Sequence, residues 1–385
     1  MGEKCPPRRS KTPSGHVPLC AVARIVRARA ICSHATNGVE CHLNSAGYDE
    51  TMTEPLRKHL GMLVCLTAVL SAAPVMAQSS TAQVWPSRPI TMVVPFGAGG
   101  AVDILARILA PRLSELLGQQ VIVENVAGAG GTTGAARVAK AAPDGYQFLL
   151  GNAGTQAISQ TLYKHPPYDS VNDFVPVGLV AQNIFVLVTR HDLPVTTLGE
   201  FIAYAKANHD KMQFASAGAG STSHMECVLL DVAMGLDITH VPYRSTSIAV
   251  PDMMAGRIDY VCDAVETAAA LIRAGTVRPI AVLAAHRSAA LPEVPTATEA
   301  GVAGLALAGW SGLFFPRGTP EAIVRRLNSA ADAALDTPSV RARIEGLGIN
   351  MVAADERAPE YLARFLPDEI AKWGVATRAS GLSMD

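Results

Sequence analysis

From Arg88 onward the sequence alternates short β-branched runs with amphipathic stretches, in two rounds separated by long apolar runs. In the first round ITMVVP (90–95), VIVEN (121–125) and QFLLG (147–151) read as strands. Between them, 102–117 carries Ile104, Leu105, Ile108, Leu109, Leu113 and Leu116 on one broad face, and 132–141 reads as a second helix. Strand, helix, strand, helix, strand is the pattern of a parallel sheet with right-handed crossovers.

VPVGLVAQNIFVLVT (175–189) is longer than one strand needs, and it reads as the chain leaving one lobe and entering another. The alternation then restarts. Helices are expected at 197–208, 222–234, 246–255 and 267–274, with strands at 214–218, 238–243, 259–264 and 279–284. A second apolar run, LALAGWSGLFFP (305–316), carries the chain back before helices at 320–335, 339–346 and 359–373. The expected fold is α/β and two-lobed, with a ligand cleft between the lobes. The competing reading is one doubly wound domain, which size disfavours because single cores stop growing near roughly 250–300 residues.

The first 77 residues behave differently. Residues 52–77 have a basic start at Arg57 and Lys58, an apolar stretch from Leu60 to Ala73, and Val75-Met76-Ala77 at its end, the form of a signal peptide cut near Ala77/Gln78. The apolar stretch is short for a membrane span of about 20 residues, and Cys65 lies in its middle, away from a lipidation position. Residues 1–51 hold four cysteines, seven basic residues and no usable hydrophobic period, and are set aside as a spurious or disordered extension, with Met52 a natural start. The expected domains are therefore 84–188 with 306–385 as lobe 1 and 189–305 as lobe 2.

From Gln78 onward 23 basic residues face 28 acidic ones, a net charge of about −5, so no basic face for nucleic acid is implied. Cys227 and Cys262 are the only cysteines left. They read as buried small apolar residues on a helix and a strand, or as a pair if their Cα atoms lie close enough in an oxidising compartment.

Three small-residue loops each follow an expected strand and open a helix: Phe96 to Asp103, Gly128 to Gly134 and Ser216 to His224. Glycine lets backbone approach a ligand, and the free amides and dipole of a helix start favour an anion, although any one loop could be only a tight turn. A nucleotide fits poorly. Thr133 stands where the dinucleotide fingerprint needs its third glycine, and no Walker lysine follows any loop. Gly218-Ala219-Gly220-Ser221 is not a nucleophile elbow, and His224 on the same helix suits a helix-start hydrogen bond better than a base. The histidines lack metal-ligand spacing. No cofactor and no metal are expected.

Taken together the motifs resemble the Bug family, the extracytoplasmic receptors of tripartite tricarboxylate transporters. The resemblance rests on Trp85-Pro86-Ser87-Arg88-Pro89-Ile90, Val94-Pro95-Phe96 with Gly99-Gly100 and Asp103, and Val123-Glu124-Asn125 with Gly128 to Gly131. It continues through Ala142-Pro143-Asp144-Gly145-Tyr146, Gly220-Ser221-Thr222-Ser223-His224, His240-Val241-Pro242-Tyr243 and Leu291-Pro292-Glu293-Val294-Pro295-Thr296, in order from 85 to about 375. It implies the type II periplasmic-binding-protein fold, each lobe a mixed sheet flanked by helices. It further implies a small organic carboxylate, a di- or tricarboxylate, amino acid or aromatic acid, held through loop amides, hydroxyls and bridging waters, with membrane transporter subunits as partners; a monomer is expected.

Carried over by motif, the binding residues are Phe96, Gly97, Ala98, Gly99, Gly100 and Asp103 in the first loop, and Gly154 and Thr155 after QFLLG. The second lobe offers Ala217, Gly218, Ser221, Thr222, Ser223 and His224, with Tyr243 and Asp263 at strand ends. Asp103 also reads as a solvated first-turn acid, Tyr243 as packing, and Asp263 as the partner of an arginine such as Arg244. Val102 and Asp263-Ala264 depart from the family pattern by losing polar groups, which points to a ligand less polar than a tricarboxylate. The expectation is a periplasmic solute-binding protein without catalysis. The alternatives are a ligand-sensing receptor for a membrane signalling partner and an exported serine hydrolase using Ser221 and His224.

Overall fold

A computed structural model describes residues 85–305 and 308–385, together with the backbone of two short strands nearer the start, β1 (Ile31–Ala35) and β2 (Gly38–His42). β1 and β2 pair antiparallel, with Ile31 opposite His42. The expected signal peptide at 52–77 and its cut at Ala77/Gln78 lie outside the described residues.

The remainder holds two five-stranded sheets with the same plan. In the first, β3 (Ile90–Val94) lies parallel to both β4 (Val121–Asn125) and β5 (Gln147–Asn152). β12 (Gly309–Pro316) inserts antiparallel between β5 and the edge strand β6 (Phe174–Asn183). In the second, β8 (Gln213–Ser216) lies parallel to β9 (Thr239–Pro242) and β10 (Tyr260–Ala264). Here β7 (Phe185–Arg190) takes the antiparallel slot between β10 and the edge strand β11 (Val277–Val282). The chain thus passes between the two sheets twice: β6 runs into β7, and β11 leads back to β12. The long apolar run does join the lobes, and the sheet changes at Ile184, ahead of the 188/189 division, because Phe185 to Thr189 pair with β10.

Strand residues are apolar on both faces because both faces are covered. Met92, Val94, Phe148, Leu150, Leu313 and Phe315 pack under α1 (Ala101–Leu117), α8 (Glu321–Leu335) and α9 (Pro338–Gly346). Their alternate neighbours Val93, Leu149 and Phe314 face α2 (Thr132–Ala139), α3 (Ser159–Leu162) and α10 (Pro359–Ser380). The second sheet divides in the same period of two. Leu187, Phe214, Tyr260 and Cys262 meet α4 (Leu198–Asn208) and α5 (Thr222–Met234). Val186, Val188, Ala215 and Val261 meet α6 (Thr246–Met254) and α7 (Val265–Arg273).

The cysteine question resolves as a disulfide. Cys227 on α5 and Cys262 on β10 are bonded, with Cα atoms 5.4 Å apart, inside the second lobe's core.

Candidate functional site

Two helix starts from opposite lobes face one cleft. From lobe 1 come Phe96 and the Gly100-Ala101-Val102 start of α1; from lobe 2 come Ala217 and the Ser221-Thr222-Ser223 start of α5. Ser221 is the N-cap of α5: its hydroxyl accepts from the His224 amide at 3.3 Å and lies 3.2 Å from the Ser223 hydroxyl. Ser223 Oγ in turn accepts from the Ala217 amide at 2.9 Å. Gly100 caps α1 without a side chain, so the first-turn amides of both helices point their partial positive charge at the same space. No lysine or arginine lines this cleft among the described residues, and its one ionisable side chain is Asp263. An anion held here would be held by amides, hydroxyls and helix dipoles.

Of the residues expected from sequence, Phe96, Gly100, Ala217, Ser221, Thr222, Ser223 and Asp263 line the cleft. The others sit behind it or bridge the lobes. Gly97 donates its amide to the Arg244 carbonyl at 2.8 Å, and the Ala98 carbonyl accepts from Ser247 Oγ at 3.4 Å, so the first loop hooks onto the start of α6. Gly154 donates to Thr222 Oγ1 at 3.1 Å, and a Cβ on Gly154 would stand 3.0 Å from the Thr222 amide nitrogen, a close interlobe approach that glycine permits. Thr155 is folded back on Asn152, whose main-chain amide donates to its hydroxyl at 3.0 Å.

Asp103 is not a solvated acid, and it does not line the cleft. It is buried, and it accepts from the Gly99 amide, Arg107 Nε and Asn125 Nδ2, each at 2.9 Å, while Asn125 also donates to the Phe96 carbonyl. Burial works to raise its carboxyl, but these hydrogen bonds from Arg107, Gly99 and Asn125 outweigh it and hold the group below the usual carboxylate range. Asp103 therefore fixes the shape of the loop. Gly99 and Gly218 line neighbouring cavities, and Tyr243 donates its hydroxyl to Asp252.

His224 accepts the Gly220 amide on Nδ1 at 3.1 Å and lies against the His240 ring, centroids 4.0 Å apart. Burial, with His240 beside it, pushes its imidazole down to about 3, so it is neutral at physiological pH. The Ser221 hydroxyl bonds the His224 main chain and not its ring, so the pair lacks the relay a serine nucleophile needs. Asp263 has no ion-pair partner among the described residues, Arg244 included. Its Oδ1 accepts from the Ala264 amide at 2.9 Å. Burial raises its carboxyl, against the hydrogen bonds of Thr267, Thr246 and Ala264.

Sequence reasoning missed Ala101, Asn152, Phe185, Ser245 and Thr246 as cleft residues. Ser245-Thr246 carried a usable signal, a hydroxyl pair at a helix start like Ser221-Thr222. Phe185 carried none, because its place depends on where the chain changes sheets. Phe96 and Val102 from lobe 1 and Phe185 from lobe 2 add apolar surface to the cleft.

The sequence model of the tripartite tricarboxylate transporter family receptor matches residues 105–382. The chain belongs to this family. The structure of the periplasmic binding protein BugD is similar to it with a TM-score of 0.76 and 36% identity, covering 78% of this chain and all of that one. MatC from Rhodopseudomonas palustris, solved with bound malate, gives a TM-score of 0.74 and 39% identity over 76% of this chain and all of its own. A second R. palustris protein, solved with adipate, gives 0.74 and 35% over 78% of this chain and all of its own. The receptor is a two-lobed periplasmic binding protein in fold and a solute-binding protein in function. Among its described residues no helix is long and apolar enough to cross a membrane.

Proposed function

We propose that this receptor captures a small organic carboxylate in the periplasm and presents it to the membrane subunits of a tripartite transporter. The observation that carries the reading is the convergence of the α1 and α5 starts on a cleft free of lysine and arginine. One carboxylate can accept from the amides of both lobes and so favour their closure. The malate and adipate bound by the two R. palustris relatives are of this chemical class. The apolar lining contributed by Phe96, Val102 and Phe185 suits a ligand with a hydrocarbon segment, so citrate is expected to bind more weakly than a mono- or dicarboxylate. No catalytic step is assigned to Ser221.

Denaturation of the receptor from Gln78 onward is to be followed against malate, adipate, hexanoate and citrate. A true ligand at a hundred times its dissociation constant stabilises by about 2.7 kcal/mol. Ser221→Ala, which removes a cap and a donor, is expected to lower affinity about tenfold and unliganded stability by about 1 kcal/mol. Absence of stabilisation by every carboxylate, or citrate binding tightest, would overturn the respective part of the reading. Export rests on residues 52–77, and amino-terminal sequencing of periplasmic protein is expected to read from Gln78.

A further inference from the structure

Behind the cleft lies a second chamber between the lobes, and the two share Asp263 as a wall. Glu266, in the first turn of α7, borders this chamber and is 3% exposed. Its Oε1 accepts from Asn183 Nδ2, whose own Oδ1 accepts from Ser311 at 3.2 Å, whereas Glu266 Oε2 has no partner among the described residues. A buried carboxylate oxygen left without a donor is costly, and two carboxyl groups three residues apart repel each other when both ionise. Arg343 stands at the exposed rim of the chamber and pairs with neither.

We propose that Asp263 and Glu266 form a subsite for a cationic nitrogen, an ammonium carried at the end of the ligand remote from its carboxylate. This rests on the carboxylate-receptor reading and extends it: the carboxylate sits at the helix starts, the chain of the ligand passes Asp263, and the ammonium enters the second chamber. There it donates to the buried, unpartnered Glu266 oxygen once the side chain turns toward the chamber, and relieves the repulsion between the two acids. Asp263 Oδ1 already accepts from the Ala264 amide at 2.9 Å, whereas Glu266 Oε2 is a buried acceptor without a partner among the described residues.

Three probes of equal length separate the possibilities by titration calorimetry: 6-aminohexanoate, hexanoate and adipate. The amine is expected to bind about tenfold tighter than hexanoate, the scale of a charge-assisted hydrogen bond, and tighter than adipate. Glu266→Gln, close in shape, is expected to cut the amine-to-hexanoate ratio at least fivefold, and Asp263→Asn to reduce it as well. The wild-type ratio stands without either variant. An amine no tighter than hexanoate, adipate tightest, or a ratio untouched by Glu266→Gln would each overturn the subsite while the receptor reading survives. Failure of all the carboxylates, malate included, would sink both.

Discussion

Glu266 is an acid held at a cost. Burial raises its carboxyl to about 7 from the usual value near 4.5, with Asp263 raising it further and the Asn183 hydrogen bond working against both. The unfolded chain releases this proton first as pH rises. The native state's advantage from Glu266 is therefore complete below about pH 4 and is lost as pH climbs through 7. Chemical denaturation at pH 5 and pH 8 is expected to show wild type losing on the order of 2 kcal/mol more than Glu266→Gln across that interval, and an equal loss would contradict the assignment. Such residues mark the limit of reading from sequence. Ser221 and Gly100 were legible because a helix start has a local signature. The role of Asp103 was not, since one carboxyl at the first turn looks the same whether it meets water or Gly99, Arg107 and Asn125. Glu266 gave no signal at all: its isolation is a property of the fold around it.

At the scale of elements, α5 shows how local and distant constraints combine. Ser221 starts it, Gly235 ends it in the left-handed conformation, and Cys227 ties it to β10 across 35 residues. A crosslink closing a loop of that size restricts the unfolded chain by about 4 kcal/mol, so the Cys227→Ser/Cys262→Ser double variant is expected to lose stability on that order. A midpoint unchanged by the variant or by reductant would show that the bond does not form in solution. Periodicity placed both cysteines on the right elements but carries no information on the distance between them. The strands and helices were largely legible for the opposite reason, because covered sheets and amphipathic helices write their own periods. Where the reading stopped short, tertiary packing had intervened. α10 runs to Ser380 and not 373, since Gly374 lies against Thr161, where any Cβ would be within 3.1 Å of a methyl.

For the molecule as a whole, closure depends on small residues where the lobe rims meet. Gly130 of lobe 1 has φ +61°, and a Cβ there would overlap the Ala219 carbonyl of lobe 2. Gly130→Ala is expected to hold the lobes apart, weakening ligand binding about tenfold and enlarging the ligand-saturated particle by small-angle scattering. Identical scattering profiles would refute a role in closure. The two-lobed plan itself was visible in the two apolar runs, which no single doubly wound sheet requires. The late return of β12 to the first sheet has a further consequence, in time and not in space. Within its sheet β6 pairs only with β12, so the lobe that begins first in the sequence cannot complete its sheet until residue 316 has arrived, whereas lobe 2 draws every strand from 185–282. Non-local pairing of this kind is slow to form. The leading lobe therefore stays pliable while most of the chain is being made and locks only after the trailing part has followed it.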